Sequence, residues 1–214
     1  MPATGRFITL EGGEGVGKST LARALKTALT ARGRKVVLTR EPGGTPGAEA
    51  LRSLILAPPD GVESWGPLTE ALMFYAARRD HLEKLIRPAL ATGAWVISDR
   101  FSDSTRAYQA AAGGAVREEI ETLERICVGN QGPDLTLVLD LPLSASGVRM
   151  ANRATKADAI ESRGADYHER VRQAFLDIAR ASPERCVVLD AALAPDALAR
   201  QALQAIDARL GVSS

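Results

Sequence analysis

Residues 7–20 read "FITLEGGEGVGKST", and this stretch decides the fold. Its second half, "GGEGVGKS" at 12–19, satisfies G-x-x-x-x-G-K-[ST] with Gly12, Gly17, Lys18 and Ser19. An apolar strand pattern precedes the loop, and Leu21, Leu25, Ala28 and Leu29 follow it at helical spacing. The extra glycines Gly13 and Gly15 let the backbone curl so that its N–H groups converge on oxygen atoms. The start of the next helix adds partial positive charge. In such a loop the lysine spans the β- and γ-phosphates of ATP and the hydroxyl holds Mg²⁺. The expected ATP-binding segment is therefore Gly12, Gly13, Glu14, Gly15, Val16, Gly17, Lys18, Ser19 and Thr20, on a P-loop nucleoside triphosphatase fold. Glu14 is the odd member, a carboxylate inside a loop built for anions. It either accepts a hydrogen bond from the loop or from Arg100, or points away from ATP toward a second substrate.

Outward from the loop, five apolar runs read as strands: "RFITLE" at 6–11, "KVVLTRE" at 35–41, "AWVISDR" at 94–100, "LTLVLDL" at 135–141 and "CVVLD" at 186–190. They are continuous rather than alternating, as expected of strands buried on both faces. Helical patterns lie between them, a long one at 69–91 and others at 116–128 and 198–210. Strand and helix in alternation predict an α/β protein with a mainly parallel sheet and right-handed crossovers. "EPGGTPG" at 41–47 and "APPDGVESWGP" at 57–67 read as loops rather than boundaries, so residues 1–214 are expected to form a single domain. The polar, arginine-rich stretch 147–165 reads as a mobile lid between two helices. Predicted strand ends carry Glu11, Arg40 with Glu41, Asp99 with Arg100, Asp140 and Asp190. Ligands bind beyond such carboxyl ends.

With 27 basic and 26 acidic side chains the net charge is +1, which argues against a nucleic-acid binder or a membrane-surface protein. Affinity for phosphates must come from local geometry. Cys127 and Cys186 show no metal or redox spacing, the start of the chain lacks a signal pattern, and no apolar run reaches membrane length. A cytoplasmic protein is expected. No N-K-x-D element for guanine occurs, and the length with a lid suggests a small phosphotransferase.

Two further segments point to an acceptor. "VISDRFSDSTRAYQ" at 96–109 places Asp99 and Arg100 at a strand end, where the acid can order the water shell of Mg²⁺ and the arginine can meet a phosphate as a fork. "LMFYAARRDH" at 72–81 sets Phe74 and Arg78 four residues apart on one helical face, a ring for a base and a guanidinium for a phosphate. Thr105, Tyr108 and Gln109 share a face of the next helix. Taken singly, Phe74 also reads as core, Arg78 as surface, and Asp99–Arg100 as a surface pair.

Together with "TREPGGTPGAEALRSLIL" and "PDLTLVLDLP", these segments resemble the bacterial thymidylate kinase family nearly end to end. The resemblance implies transfer of the ATP γ-phosphate to dTMP, and a homodimer built on helices. It implies that Phe74 stacks on thymine, that Arg78 and Arg100 grip the dTMP phosphate with Arg40 near it, and that Thr105 and Gln109 lie by the base. Tyr108 would crowd the 2′ position of the sugar, Glu14 would face its 3′-hydroxyl, and Ser19 with Asp99 would serve Mg²⁺. The expected fold has three layers, with strand order 2-3-1-4-5 and helices on both faces.

The lid departs from the family pattern. Where an acidic phosphate loop is usually matched by D-R-[IL]-E, residues 158–161 read "DAIE", with Ala159 in the arginine's place. Arg149, Arg153 and Lys156 are the alternative cations, and Arg153 is taken first, joining Lys18, Arg100 and Glu14 as the expected catalytic set. Arg149 and Arg153 are like charges four apart, which costs an isolated helix about 0.2–0.5 kcal/mol and favours an anionic ligand there. A deoxynucleoside kinase, with Glu41 or Glu14 as general base, and a regulator that binds without catalysis are the competing readings.

Overall fold

The structure, a computed structural model, describes residues 5–62, 64–146 and 158–211. Five strands form its centre: β1 (Phe7–Glu11), β2 (Val36–Arg40), β3 (Trp95–Asp99), β4 (Leu135–Asp140) and β5 (Cys186–Asp190). Every pairing is parallel and the order is β2-β3-β1-β4-β5, as expected. Burial follows position in the sheet. The central β1 is buried throughout, and β3 and β4 at all but their last residue, whereas the edge strands β2 and β5 are part-exposed. A parallel strand covered on both faces needs no polar alternation, and for that reason the central runs read as uniformly apolar.

Alternate residues feed two cores. Ile8, Leu10, Ile97, Leu137 and Leu139 meet Leu21, Leu25 and Leu29 of α1 (Lys18–Ala31) and Leu198, Ala202 and Ile206 of α8 (Pro195–Leu210). Phe7, Val96 and Val138 turn to the other face, covered by α3 (Pro67–His81), α6 (Arg117–Cys127) and α7 (Ala165–Ala181). Each of the larger apolar side chains contributes about 1.5–3 kcal/mol by leaving water. The result is three layers with the strand ends, and their charges, along one edge. Among the described residues no helix is long and apolar enough to cross a membrane.

Local chemistry modifies two sequence readings. The helix expected over 69–91 runs as α3, a π-helical turn Leu82–Ile86, and α4 (Arg87–Ala91). Pro88 cannot donate to the carbonyl four residues back and its ring crowds it, so the preceding turn widens. A helix not read from the sequence, α2 (Pro46–Leu56), begins inside the stretch taken as a loop. Thr45 caps it by accepting from the Ala48 N–H, and Pro46 suits its first turn. Downstream, α5 (Ser102–Thr105) passes into a second π-helical segment, Arg106–Ala112.

Of the expected lid, 147–157 lies outside the described residues. Its stem is a turn closed by Asp158 Oδ1, which accepts from the N–H groups of Ile160 at 2.9 Å and Glu161 at 2.8 Å. Ile160 is buried against Ile55, Leu56 and Phe74, which seats the stem on α2.

Leu137 is fully buried at the centre of β4. Leu137→Ala is expected to lower unfolding stability by about 2–5 kcal/mol, read as a lower urea midpoint. An unchanged midpoint would contradict the packing described.

Candidate active site

Beyond β1 the chain turns at Gly12, whose φ is +135°. A Cβ there would lie 2.5 Å from the Leu139 carbonyl oxygen, so the turn requires glycine. The loop then curls to Gly17, the cap of α1. Lys18 is buried, with Nζ donating to the carbonyls of Gly13 at 2.6 Å and Gly12 at 3.1 Å. Burial, and then the nearby Arg100, pull its ammonium down to about 8. Ser19 Oγ donates to Asp99 Oδ2 at 2.7 Å, joining α1 to the end of β3.

Arg100 follows Asp99 with φ at +73°, the left-handed region that a side chain rarely adopts. Three bonds hold the turn. Arg100 N donates to Leu10 O at 2.9 Å, Ser98 Oγ to Arg100 O at 2.8 Å, and Phe101 N to Glu11 Oε1 at 2.8 Å. So placed, the guanidinium reaches back to the phosphate loop, donating to Gly12 O at 3.0 Å and to Glu14 Oε1 at 2.5 Å. Tyr108 Oη donates to the same carboxylate oxygen at 3.0 Å. Burial works against ionisation of Glu14, but Arg100, Lys18 and Tyr108 outweigh it and hold the carboxyl at about 2. Arg100 is correspondingly raised, its burial outweighed by Glu14 and Tyr108. Of the two readings of Glu14, the structure shows the hydrogen bond from Arg100, and the side chain also lines the cavity beside the loop.

Arg78 is 2% exposed. Its Nε donates to Glu41 Oε2 at 2.7 Å, and Nη1 and Nη2 reach Thr105 Oγ1 at 3.3 and 3.2 Å. Tyr75 and Phe101 flank the guanidinium at 4.7 and 5.2 Å. Glu41 Oε1 faces His81 Nδ1 at 3.0 Å. Arg78 is thus an interior cation rather than the surface residue its type suggests.

These groups surround a cavity of about 270 Å³ at the strand ends. The expected residues Glu14, Gly15, Gly17, Lys18, Ser19, Thr20, Arg40, Phe74, Arg78, Asp99, Arg100, Thr105, Tyr108 and Gln109 all line it. Phe74 also packs on the core beside Met73 and Leu56, as its core reading expects. Arg40 lies at the rim, half-exposed and paired with Glu49 at 2.9 Å. Gly12, Gly13 and Val16 of the same loop line a second cavity, with Leu139, Asp140 and Arg172. Arg149, Arg153 and Lys156 lie outside the described residues.

Several participants were not foreseen. Arg52 on α2 lines the cavity and donates to Pro42 O at 2.9 Å. Glu11 is fully buried and accepts from Ser104 Oγ at 2.6 Å. Burial and then Asp103 push its carboxyl up to about 8. Glu70 and His81 stand behind Gln109 and Glu41. The position of Glu11 at a strand end was legible. For the others no signal existed, because their partners are remote in sequence.

Comparison with known proteins bears on the whole chain. The family model described as thymidylate kinase matches residues 10–202. The thymidylate kinase of Caulobacter vibrioides is 50% identical over 208 residues, covering 97% of this chain and 99% of that protein. The chain belongs to the thymidylate kinase family. A second relative, the thymidylate kinase of Dinoroseobacter shibae, is 50% identical over 191 residues, with 89% of this chain and 90% of the relative covered. The crystal structure of thymidylate kinase from Ehrlichia chaffeensis superposes with a TM-score of 0.75 at 32% identity, over 95% of this chain and 99% of that one. The fold is accordingly the P-loop nucleoside triphosphatase fold expected from the phosphate loop. Against the family pattern, Ala159 contributes only a methyl group and a backbone N–H, which donates to Leu56 O at 3.3 Å.

The Glu14 carboxyl is depressed from 4.5 to about 2 on folding. Its contribution is therefore fully present above pH 4.5 and is lost as pH falls through about 2. Glu14→Gln should be less stable than the native chain at pH 7 by roughly 1–3 kcal/mol. The gap should close between the two values in urea titrations run at a series of pH. A gap independent of pH would mean that the Arg100 contact does not charge Glu14.

Proposed function

We propose that the chain transfers the γ-phosphate of ATP to dTMP, and that the cavity described is the acceptor site. The observation that carries this reading is convergence: Lys18 and Glu14 from the phosphate loop, Phe74 and Arg78 from α3, and Arg100 from the turn after β3 border one cavity. A ring, one buried and one part-buried guanidinium group and a triphosphate loop fit a nucleotide carrying its own phosphate. The acceptor phosphate oxygen is already a nucleophile at pH 7, so the protein needs no strong general base. The remaining barrier is repulsion between two anionic phosphates. Fixed cations offset it best when they are held in place beforehand, as Arg78 is by Glu41 and Arg100 by Glu14.

This arrangement disfavours phosphorylation of a nucleoside. Glu41 borders the cavity, but it is buried and both its oxygens are committed, to Arg78 and to His81. Glu14 is held at about 2, which makes it a weak base. In the proposed complex Thr105 and Gln109 lie by the base, Tyr108 lies by the 2′ position and Glu14 lies by the 3′-hydroxyl, with Arg40 near the acceptor phosphate.

For Mg²⁺, Ser19 and Asp99 supply one hydroxyl and one carboxylate 2.7 Å apart. Among the described residues no cluster of three or more metal-ligating side chains exists. That fits an ion that takes its other ligands from water and phosphate. When bound it would neutralise charge on the β- and γ-phosphates. Arg153 of the 147–165 lid is proposed as the cation in the role that Ala159 leaves. A homodimer is proposed through α2 and α3, where Leu54, Leu68 and Leu72 are exposed. The free thiols Cys127 and Cys186 suit the reducing cytoplasm.

ADP release with dTMP, dUMP, UMP, dCMP and thymidine tests the acceptor. The expected result is preference for dTMP and a rate with thymidine lower by about 100-fold or more, since thymidine brings no phosphate for the two guanidinium groups to meet. Comparable rates with the two would sink the reading. Arg153→Ala should lower kcat by about 10²–10³ with little change in the KM for dTMP, the pattern for a group acting in the transition state. An unchanged kcat would shift the role to Arg149 or Lys156.

A further inference from the structure

In the acceptor cavity, one hydrogen bond sets which atom of Gln109 can meet a base. Gln109 lies on the second π-helical segment, is 1% exposed and lines the cavity. Its Nε2 donates to Glu70 Oε2 at 3.0 Å. Glu70 comes from the first turn of α3 and is itself buried. Its other oxygen is paired with Arg163 Nη2. Arg163 is fixed in turn: Nη1 donates to Tyr167 Oη at 2.7 Å, and the guanidinium lies over the Tyr167 ring at 4.8 Å. Tyr167 Oη then donates to Tyr108 O at 2.9 Å, closing the network on the segment that carries Gln109.

The chemistry of a carboxylate decides the rest. An ionised Glu70 offers only acceptors, so the Gln109 atom facing it must be the amide nitrogen. The carbonyl oxygen is then the remaining polar atom of the side chain, and among the described residues it accepts no hydrogen bond. An amide free to turn over could present either end to a ligand. One anchored on a locked acid cannot.

We infer that Glu70, held by Arg163, is a specificity-determining positioning residue: it fixes Gln109 with its carbonyl toward the acceptor base, so that the site reads a pyrimidine ring N–H. This rests on the proposal that the cavity takes dTMP, and deepens it. Thymine and uracil carry a hydrogen on N3, which the carbonyl accepts. Cytosine has a lone pair on N3, so two acceptors would meet with no proton between them. Stacking on Phe74 does not separate these bases, and Tyr108 by the sugar cannot. The Thr105 hydroxyl can donate or accept and so does not choose between them, and discrimination against a cytosine nucleotide therefore falls to the orientation of one amide, and to the acid behind it.

The test is the ratio of kcat/KM for dTMP to that for dCMP. Glu70→Gln replaces the acid with an amide that can donate, so Gln109 can turn over and offer its NH₂ to N3 of cytosine. The ratio should fall by at least about tenfold, mainly through KM, as expected when a polar group built to pair with one base is reoriented toward another. The KM for ATP should stay within about twofold, because the phosphate loop is untouched. Because Glu70→Gln leaves Arg163 without its acid, Glu70→Gln/Arg163→Met, which removes both charges, is measured beside it as the variant more certain to fold. The same change made on a Gln109→Ala background should leave the ratio unmoved, since Glu70 acts through Gln109. A ratio unchanged by either Glu70 variant, or one that falls equally on the Gln109→Ala background, would overturn the inference. The native chain separates the two levels. If it does not phosphorylate dTMP, the acceptor assignment itself fails. If it does and the ratio ignores Glu70, only the role of Glu70 fails.

Discussion

Arg78 carries a permanent charge into a place from which water is almost excluded, and the site depends on how that charge is met. An isolated buried ion costs several kcal/mol even after relaxation, so a guanidinium survives there only with a carboxylate and its remaining protons satisfied. Glu41 supplies the carboxylate, Thr105 accepts from the outer nitrogens, and two rings cover the faces. Glu41 is oriented by His81, whose other ring nitrogen lies 2.7 Å from Thr39 Oγ1. The network leaves no spare room: a Cβ on Gly44 would sit 2.6 Å from His81 Nε2. Through this chain the ends of β2, α3 and α5 are tied to one cation.

A second pair repeats the arrangement across the sheet. Glu14 and Arg100 join the phosphate loop, after β1, to the left-handed turn after β3, with Tyr108 as the third member. These strands are neighbours in a parallel sheet, so their carboxyl ends lie side by side. The phosphate loop and the arginine proposed to meet the acceptor are thereby joined by two hydrogen bonds from Arg100, to Glu14 and to Gly12 O. The acid that looked misplaced in an anion-binding loop keeps an otherwise repulsive arginine against it. Lys18 shares in this balance, since Glu14 favours its charged form while burial and Arg100 oppose it.

Much of this was legible in the residues. The phosphate loop, the strand runs and the acids and arginines at strand ends could be read because each is local: a motif within eight residues, a run of apolar side chains, a charge where the run stops. Every described member of the expected site beyond the loop lines the cavity. What could not be read were the partners. Glu70 is 39 residues from Gln109 and Arg163 is 93 from Glu70, and nothing in the spacing joins them. Helix α2 was hidden by "EPGGTPG", where proline and glycine mark both a loop and a helix start. The π-helical turn before Pro88 was missed because hydrophobic periodicity tolerates one wide turn.

By itself, then, the sequence determined the parallel α/β architecture, the phosphate loop, and the set of side chains that line the cavity beside it. Those are consequences of local pattern, which the chain carries into any surroundings. Only the tertiary structure decided what each charge would do. Burial depth and the nearest opposite charge set ionisation and orientation, and both arise from segments remote in the chain. Arg78 became an interior cation, Glu41 its counter-ion rather than a base, and Glu14 a carboxylate held by Arg100 at the wall of the cavity. Gln109, one polar residue among many in the sequence, was turned by a buried acid so that its amide has one direction.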